Sequence, residues 1–95
     1  MGTEAKLENY WRVKMRDMNP EALSVDDLDD AIVGIAVRCG QPALYVYDIQ
    51  KCVEALMRNN QWSEEEAWEW YSFNIEGAWM GEHTPLFADF SKDED

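Results

Sequence analysis

Positive charge is scarce in this chain of 95 residues. Eight Lys and Arg stand against twenty Asp and Glu, a net charge of −12. Nucleic-acid binding needs Lys or Arg to neutralise phosphates, so the balance argues against direct contact with DNA or RNA. Histidine occurs once, at His83, and cysteine twice, at Cys39 and Cys52. Without a CxxC pair and with one imidazole, the usual zinc sets cannot be assembled. No metal and no cofactor are therefore expected. Serine is absent from any elbow motif, and neither cysteine has a local activating signature, so a nucleophile is missing. Gly77-Ala78-Trp79-Met80-Gly81 lacks the following lysine of a phosphate loop. No apolar run approaches the roughly 18 residues of a membrane span, and no apolar leader segment is visible. A cytoplasmic setting with reduced thiols is the expectation.

What is present is apolar and aromatic. Hydrophobic residues make up 46% and aromatic ones 13%, with five Trp, which suits one folded domain rather than a disordered chain. The charge is uneven. Residues 1–18 hold four bases and three acids, and residues 19–95 hold four bases and seventeen acids. The expected organisation is an N-terminal amphipathic helix over 1–18, one compact domain over 19–90 and an acidic tail over 91–95.

Periodicity gives the elements. Leu7, Tyr10, Trp11, Lys14, Met15 and Met18 share one helical face over 4–18, and Asn19-Pro20 ends that helix. Ser24 as N-cap and the stripe Leu28, Ala31, Ile32, Ile35, Ala36 predict a second helix reaching Cys39, closed by Gly40. Ala43 to Tyr47 predicts a strand with Leu44 and Val46 on one face and Tyr45 and Tyr47 on the other. Asp48 caps a third helix with Ile49, Cys52, Val53, Leu56 and Met57 inside, ending at Asn59-Asn60. Ser63 and Glu66 form a capping box for a fourth helix running to about Met80. Gly34 and Gly77, inside the second and fourth helices, point to close packing of the two. Pro85 to Phe90 predicts a second strand. The fold class is α+β and mostly helical: about four helices packed with a two-stranded ribbon of 43–47 and 85–90. Ile32, Ile35, Val53, Leu56, Trp70 and Ile75 are the expected core.

Several of these residues also form a pattern. It comprises Leu28-Asp29-Asp30-Ala31-Ile32-Val33-Gly34, Arg38-Cys39-Gly40-Gln41-Pro42, Val46-Tyr47-Asp48, Cys52, Glu64-Glu65-Glu66-Ala67, Phe73-Asn74 and the segment from Gly77 to Phe87 with Gly81-Glu82-His83-Thr84-Pro85 inside it. Over roughly residues 19 to 90 the chain resembles a family of small proteins of phages and prophages. The resemblance implies common descent and an infected or lysogenic bacterial host. It carries no activity with it.

Two groups of residues are candidates for function. Asp26, Asp27, Asp29, Asp30, Glu64 and Glu65, with Trp62 and Trp68 as aromatic anchors, form a candidate surface for a basic partner protein. Trp79, Glu82, His83 and Thr84 form a candidate structural turn, and Glu82-His83 is also the one place where acid–base chemistry has material to work with. The leading expectation is a non-enzymatic interaction protein. It binds and inhibits a basic host protein of nucleic-acid-handling or antiviral-defence machinery, through charge that mimics nucleic acid. The alternatives are a small enzyme or ligand-binding domain at the Glu82-His83 turn, with Tyr47 and Asp48, and a structural homodimer.

Overall fold

Asn9 opens the first helix. Its side-chain oxygen accepts the Trp11 N–H at 2.9 Å, filling a donor that a helix start leaves open. Helix α1 then runs Tyr10–Met18 and buries Met15. The structure, a computed structural model, describes residues 9–92. Residues 4–8 of the expected helix, Leu7 included, and 93–95 of the expected tail lie outside the described residues.

The helix expected from Ser24 to Cys39 does not form. Asp27 takes a φ of 66°, which no α-helix contains. Asp29–Ala31 makes a single 3-10 turn, and Ile32–Ala36 is strand β1. The stripe of Leu28, Ala31 and Ile32 is buried, but one tight turn brings these side chains inward rather than a long helix. Beyond it, Ile32, Val33, Ile35 and Val37 are β-branched and Gly34 is a poor helix former, so strand pairing wins. Gly40 does adopt a left-handed φ, of 75°, but in the turn between two strands.

Strand β2 is Leu44–Asp48, and it is the centre of a three-stranded sheet ordered β1-β2-β3, with β3 at Leu86–Ala88. β1 pairs antiparallel with β2, placing Ile32 opposite Tyr47 and Ile35 opposite Tyr45, with a bulge between Ile32 and Gly34. β3 pairs in parallel with β2, placing Phe87 opposite Tyr47. A parallel pair needs a long crossover. Residues 49–85 supply it as helix α2 (Ile49–Asn60), helix α3 (Glu64–Tyr71) and a π-helical turn (Ser72–Glu76). The architecture is thus a small α+β fold with three α-helices and a three-stranded mixed sheet among the described residues. It corrects the expected four helices and two-stranded ribbon.

Local chemistry explains the crossover helices. Asp48 caps α2 by accepting the Lys51 N–H at 3.2 Å. Ser63 and Glu66 satisfy each other's backbone donors at the start of α3, at 3.2 and 2.9 Å. The last α-helical residue is Tyr71 rather than Met80. The ladder then widens, and the Gly77 N–H reaches back five residues to the Ser72 carbonyl at 3.1 Å. A Cβ on Gly77 would stand 3.0 Å from that same oxygen, so a side chain there crowds the turn it closes. Gly77 therefore packs on its own turn and not on a second helix. Gly34, in β1, has nothing within 4 Å of where a Cβ would lie.

The core follows from the sheet's inner face. Tyr45 and Tyr47 are buried, and the Tyr47 ring stacks on Phe87 at 5.5 Å. The Tyr71 ring meets Phe87 edge-on at 5.9 Å. Cys52, Val53 and Leu56 come from α2, and Ala67, Tyr71 and Ile75 form a stripe at i, i+4, i+8. That stripe decides the fate of the other rings. Trp70 lies off it and is 41% exposed, and Phe73 is 77% exposed, so neither joins the interior. Ile35 is only partly buried.

Two buried polar groups clamp the irregular segments onto this core. The Tyr47 hydroxyl accepts the Val25 N–H at 2.8 Å. The Asn19 amide donates to the Ala43 carbonyl at 2.9 Å and to His83 Nδ1 at 3.1 Å, while its oxygen accepts the Glu21 N–H at 3.1 Å. Tyr47→Phe keeps the ring packing and strands the Val25 donor. It should lower stability by about 1 kcal/mol, the low end for an orphaned donor in a partly buried place. Denaturant midpoint at an unchanged m-value checks this, and an unchanged midpoint contradicts it.

Candidate functional site

The four aspartates are held on a loop with three anchors. Val25 is tied to Tyr47, Leu28 is buried, and the Asp27 carbonyl accepts from the Asn59 side chain at 3.3 Å. Asp27 tolerates its left-handed backbone because short polar side chains pay little there. Asp29 is bound by Arg12 of α1 through two hydrogen bonds, 2.7 Å from Nε and 2.6 Å from Nη2. This bidentate pair holds the Arg12 pKa above its ordinary value, chiefly through the hydrogen bond to Asp29. Asp30 has only a loose, exposed contact with Arg58 at 3.9 Å, of a kind that contributes little. Asp26 and Asp27 share a shallow depression with Arg12, Asp29 and Asp30, and the Arg12 guanidinium is engaged by Asp29.

Opposite this loop stands an aromatic pair. Gln61 ends α2 in a left-handed conformation, and the Trp62 N–H closes back on the Met57 carbonyl at 3.2 Å. That closure sets Trp62 beside α3, where its ring meets Trp70 with 5.8 Å between centroids. Between the loop and this pair lies a cleft of about 450 Å³. Leu28, Leu56 and Ile75 lie at its base, and Asp26, Asp27, Asn59 and Asn60 contribute its polar groups. A shallower depression continues over the other side of Trp62 and Trp70 to Glu66, Glu69 and Phe73. Among the described residues no Lys or Arg lines either one.

The candidates from sequence are thus sorted by the fold. Asp26, Asp27 and Trp62 come together in one cleft. Asp29 and Asp30 continue the acidic surface beside it, with Asp29 engaged by Arg12. Glu64 and Glu65 lie exposed in the first turn of α3 and line neither depression. Trp68 is half-buried against Tyr71, edge-on at 5.8 Å, and packs on the core. Trp70, expected in the core, joins the surface instead, together with Phe73, Glu69, Asn59 and Asn60, none of them a partner-binding candidate from the sequence. Their signal is the Ala67, Tyr71, Ile75 stripe, which turns Trp70 and Phe73 outward once it is chosen as the buried face.

The second group sits at the opposite junction. The Thr84 hydroxyl accepts the Met80 N–H at 2.8 Å and donates to the Gly81 carbonyl at 2.7 Å, closing the turn. His83 accepts at Nδ1 from Asn19, so its proton is assigned to Nε2, which lies 3.4 Å from Glu21 and 3.8 Å from Glu82. The His83 carbonyl accepts the Leu23 N–H at 3.1 Å. Trp79 is 77% exposed and walls a larger cleft of about 570 Å³ with Ala36, Val37, Leu44, Pro85 and Leu86. Glu82 and Thr84 border that cleft, but His83 does not line it. The Tyr47 hydroxyl accepts from Val25 and the Asp48 carboxylate caps α2, while His83 is bound by Asn19 and faces Glu21 and Glu82. Among the described residues no three His, Cys, Asp or Glu side chains gather in a metal-holding group, and no helix is long and apolar enough to cross a membrane.

Comparison of the chain with protein-family models, with characterised proteins and with solved structures finds no match. The reading of function therefore rests on the residues themselves.

The thiols give a direct check of the burial pattern. Cys52 is buried and its pKa is pushed up to about 12 by desolvation, so at pH 8 it stays a thiol. Cys39 is exposed on the turn between β1 and β2. Iodoacetamide at pH 8 should add one carbamidomethyl group to the native protein, at Cys39. Two groups added at comparable rates would contradict the placement of Cys52.

Proposed function

We propose that this chain is an acidic recognition domain that binds a basic protein and occupies its charged face. The observation that carries the reading is the surface around Trp62 and Trp70. The exposed Trp70 ring, the half-buried Trp62 ring and the carboxylates of Asp26, Asp27, Glu66 and Glu69 share it, with no Lys or Arg in its lining among the described residues, in a chain whose net charge is −12. Unneutralised carboxylates raise the local concentration of a basic partner and speed its capture. Aromatic rings beside them supply the apolar area that holds a complex once formed. On the resemblance to phage and prophage proteins, the setting is an infected or lysogenic bacterium. The target is then nucleic-acid-handling or defence machinery, whose basic groove the acids fill in place of phosphates.

The test uses the partner isolated from such a host on the immobilised chain, followed by binding kinetics over a salt series. Asp26→Asn, Asp27→Asn and Asp30→Asn are combined. Asp29 is left intact, because its pair with Arg12 joins α1 to the loop. Association should slow on the order of tenfold in the triple variant at low salt, and the gap should close as salt screens the charges. Association indifferent to both salt and the three substitutions would contradict the proposal.

A further inference from the structure

The hydrogen-bonding inventory of the Trp62–Trp70 cleft narrows the partner group. The Asn59 amide nitrogen donates to the Asp27 carbonyl at 3.3 Å, and the Asn60 amide nitrogen donates to the Leu56 carbonyl at 3.1 Å. A carbonyl can only accept, so both amides are oriented by these bonds, and each keeps its Oδ1 as a free acceptor. Asp26 and Asp27 add carboxylate acceptors. Each amide also keeps its second N–H, but with two carboxylates and two amide oxygens against two amide and two indole N–H groups, the lining side chains offer mainly acceptors and carry only negative charge. Asn74 repeats the arrangement at the edge of the neighbouring depression, donating one amide N–H to the Trp70 carbonyl at 3.1 Å. Beneath the polar groups the cleft is apolar, with Leu28, Leu56 and Ile75 nearly inaccessible.

From this we infer that the cleft between the Val25–Leu28 loop and the Trp62–Trp70 pair is an anchor site for one arginine side chain of a basic partner. The inference rests on the proposed function and names the group that is recognised. A guanidinium is flat, carries five donors and no acceptor, and stacks on an aromatic face. Its aliphatic stem suits an apolar base. A lysine ammonium meets the same charge, but it is compact and strongly hydrated, and it gains less from a planar ring and spread-out acceptors. The site is of a size that ordinarily holds a small ligand, so one side chain fits.

Two peptides of equal charge separate these cases: acetyl-Gly-Arg-Gly-Arg-Gly-amide and its lysine counterpart. Each is titrated into the full chain with the tryptophan indole N–H signals followed by NMR. The arginine peptide should bind at least fivefold tighter and shift the Trp62 and Trp70 signals, while the Trp79 signal stays in place. In Trp70→Leu the preference should fall to within twofold. In the double variant Asp26→Asn, Asp27→Asn both peptides should weaken. The mapping on the unmodified chain stands even if a variant fails to fold. Equal affinity for the two peptides, shifts centred on Trp79, or no indole shift from either peptide would overturn the arginine anchor. Equal, salt-sensitive binding of both would overturn it and leave the acidic recognition domain standing. Loss of the salt dependence described for the isolated partner would remove that broader reading instead.

Discussion

The hydrogen bond from the Val25 N–H to the Tyr47 hydroxyl joins the two halves of this molecule. Tyr47 lies at the centre of the sheet, paired across to Ile32 on one side and to Phe87 on the other. Its ring is wholly buried and stacks on Phe87, so the hydroxyl is presented at a fixed point. Burial also raises the Tyr47 pKa to about 12, which keeps the phenol neutral over the physiological range. A neutral hydroxyl at that point gives the loop before Asp26 one place to attach. The Asn59 bond to Asp27 and the burial of Leu28 then fix the rest of the loop. The acids face the aromatic pair because a residue at the middle of the sheet holds their backbone.

A second constraint acts at the other end of the same segment. Asn19 makes three hydrogen bonds, to residues from three parts of the chain. It ties the end of α1 to the start of β2 and to the turn before β3. The imidazole of His83 is used there as an acceptor, and its carbonyl holds Leu23. The histidine that looks most like chemistry in the sequence is thus engaged with its neighbours on both its ring and its backbone. Chain segments 19–31 and 77–85 carry little regular structure, and these side-chain bonds stand in for the ladders they lack.

The sequence displays some of this clearly and hides the rest for definite reasons. The caps at Asp48 and Ser63 are local, set by a side chain and the three residues after it, and they are where the spacing places them. Alternation in β2 is likewise local, and Tyr45 and Tyr47 do share the buried face. The failure lies at 24–39, where Leu28, Ala31, Ile32 and Ile35 fit a helical period and the β-branched run with Gly34 fits a strand. Only pairing with β2 decides between them, and that contact is invisible in a local window. The same holds for Trp70, whose exposure follows from the burial of the Ala67 and Tyr71 face of α3, a choice made by packing on the core. As for the site, acids and a tryptophan were legible as types. Their meeting at one cleft was not, because 25–28 and 59–62 are brought together by Asn59 and the sheet.

The proposed function depends on one physical condition: the exposed Trp70 ring, beside half-buried Trp62, stands in a negative field, with no Lys or Arg lining its two depressions among the described residues. Collisional quenching of tryptophan fluorescence by ions of opposite sign measures that condition. The difference between the native chain and Trp70→Phe isolates the Trp70 ring, which is 41% exposed. At low ionic strength caesium should quench Trp70 more strongly than iodide, and the preference should fade as added salt shortens the Debye length toward about 3 Å at 1 M. Iodide quenching equal to or stronger than that of caesium at low salt would contradict the account.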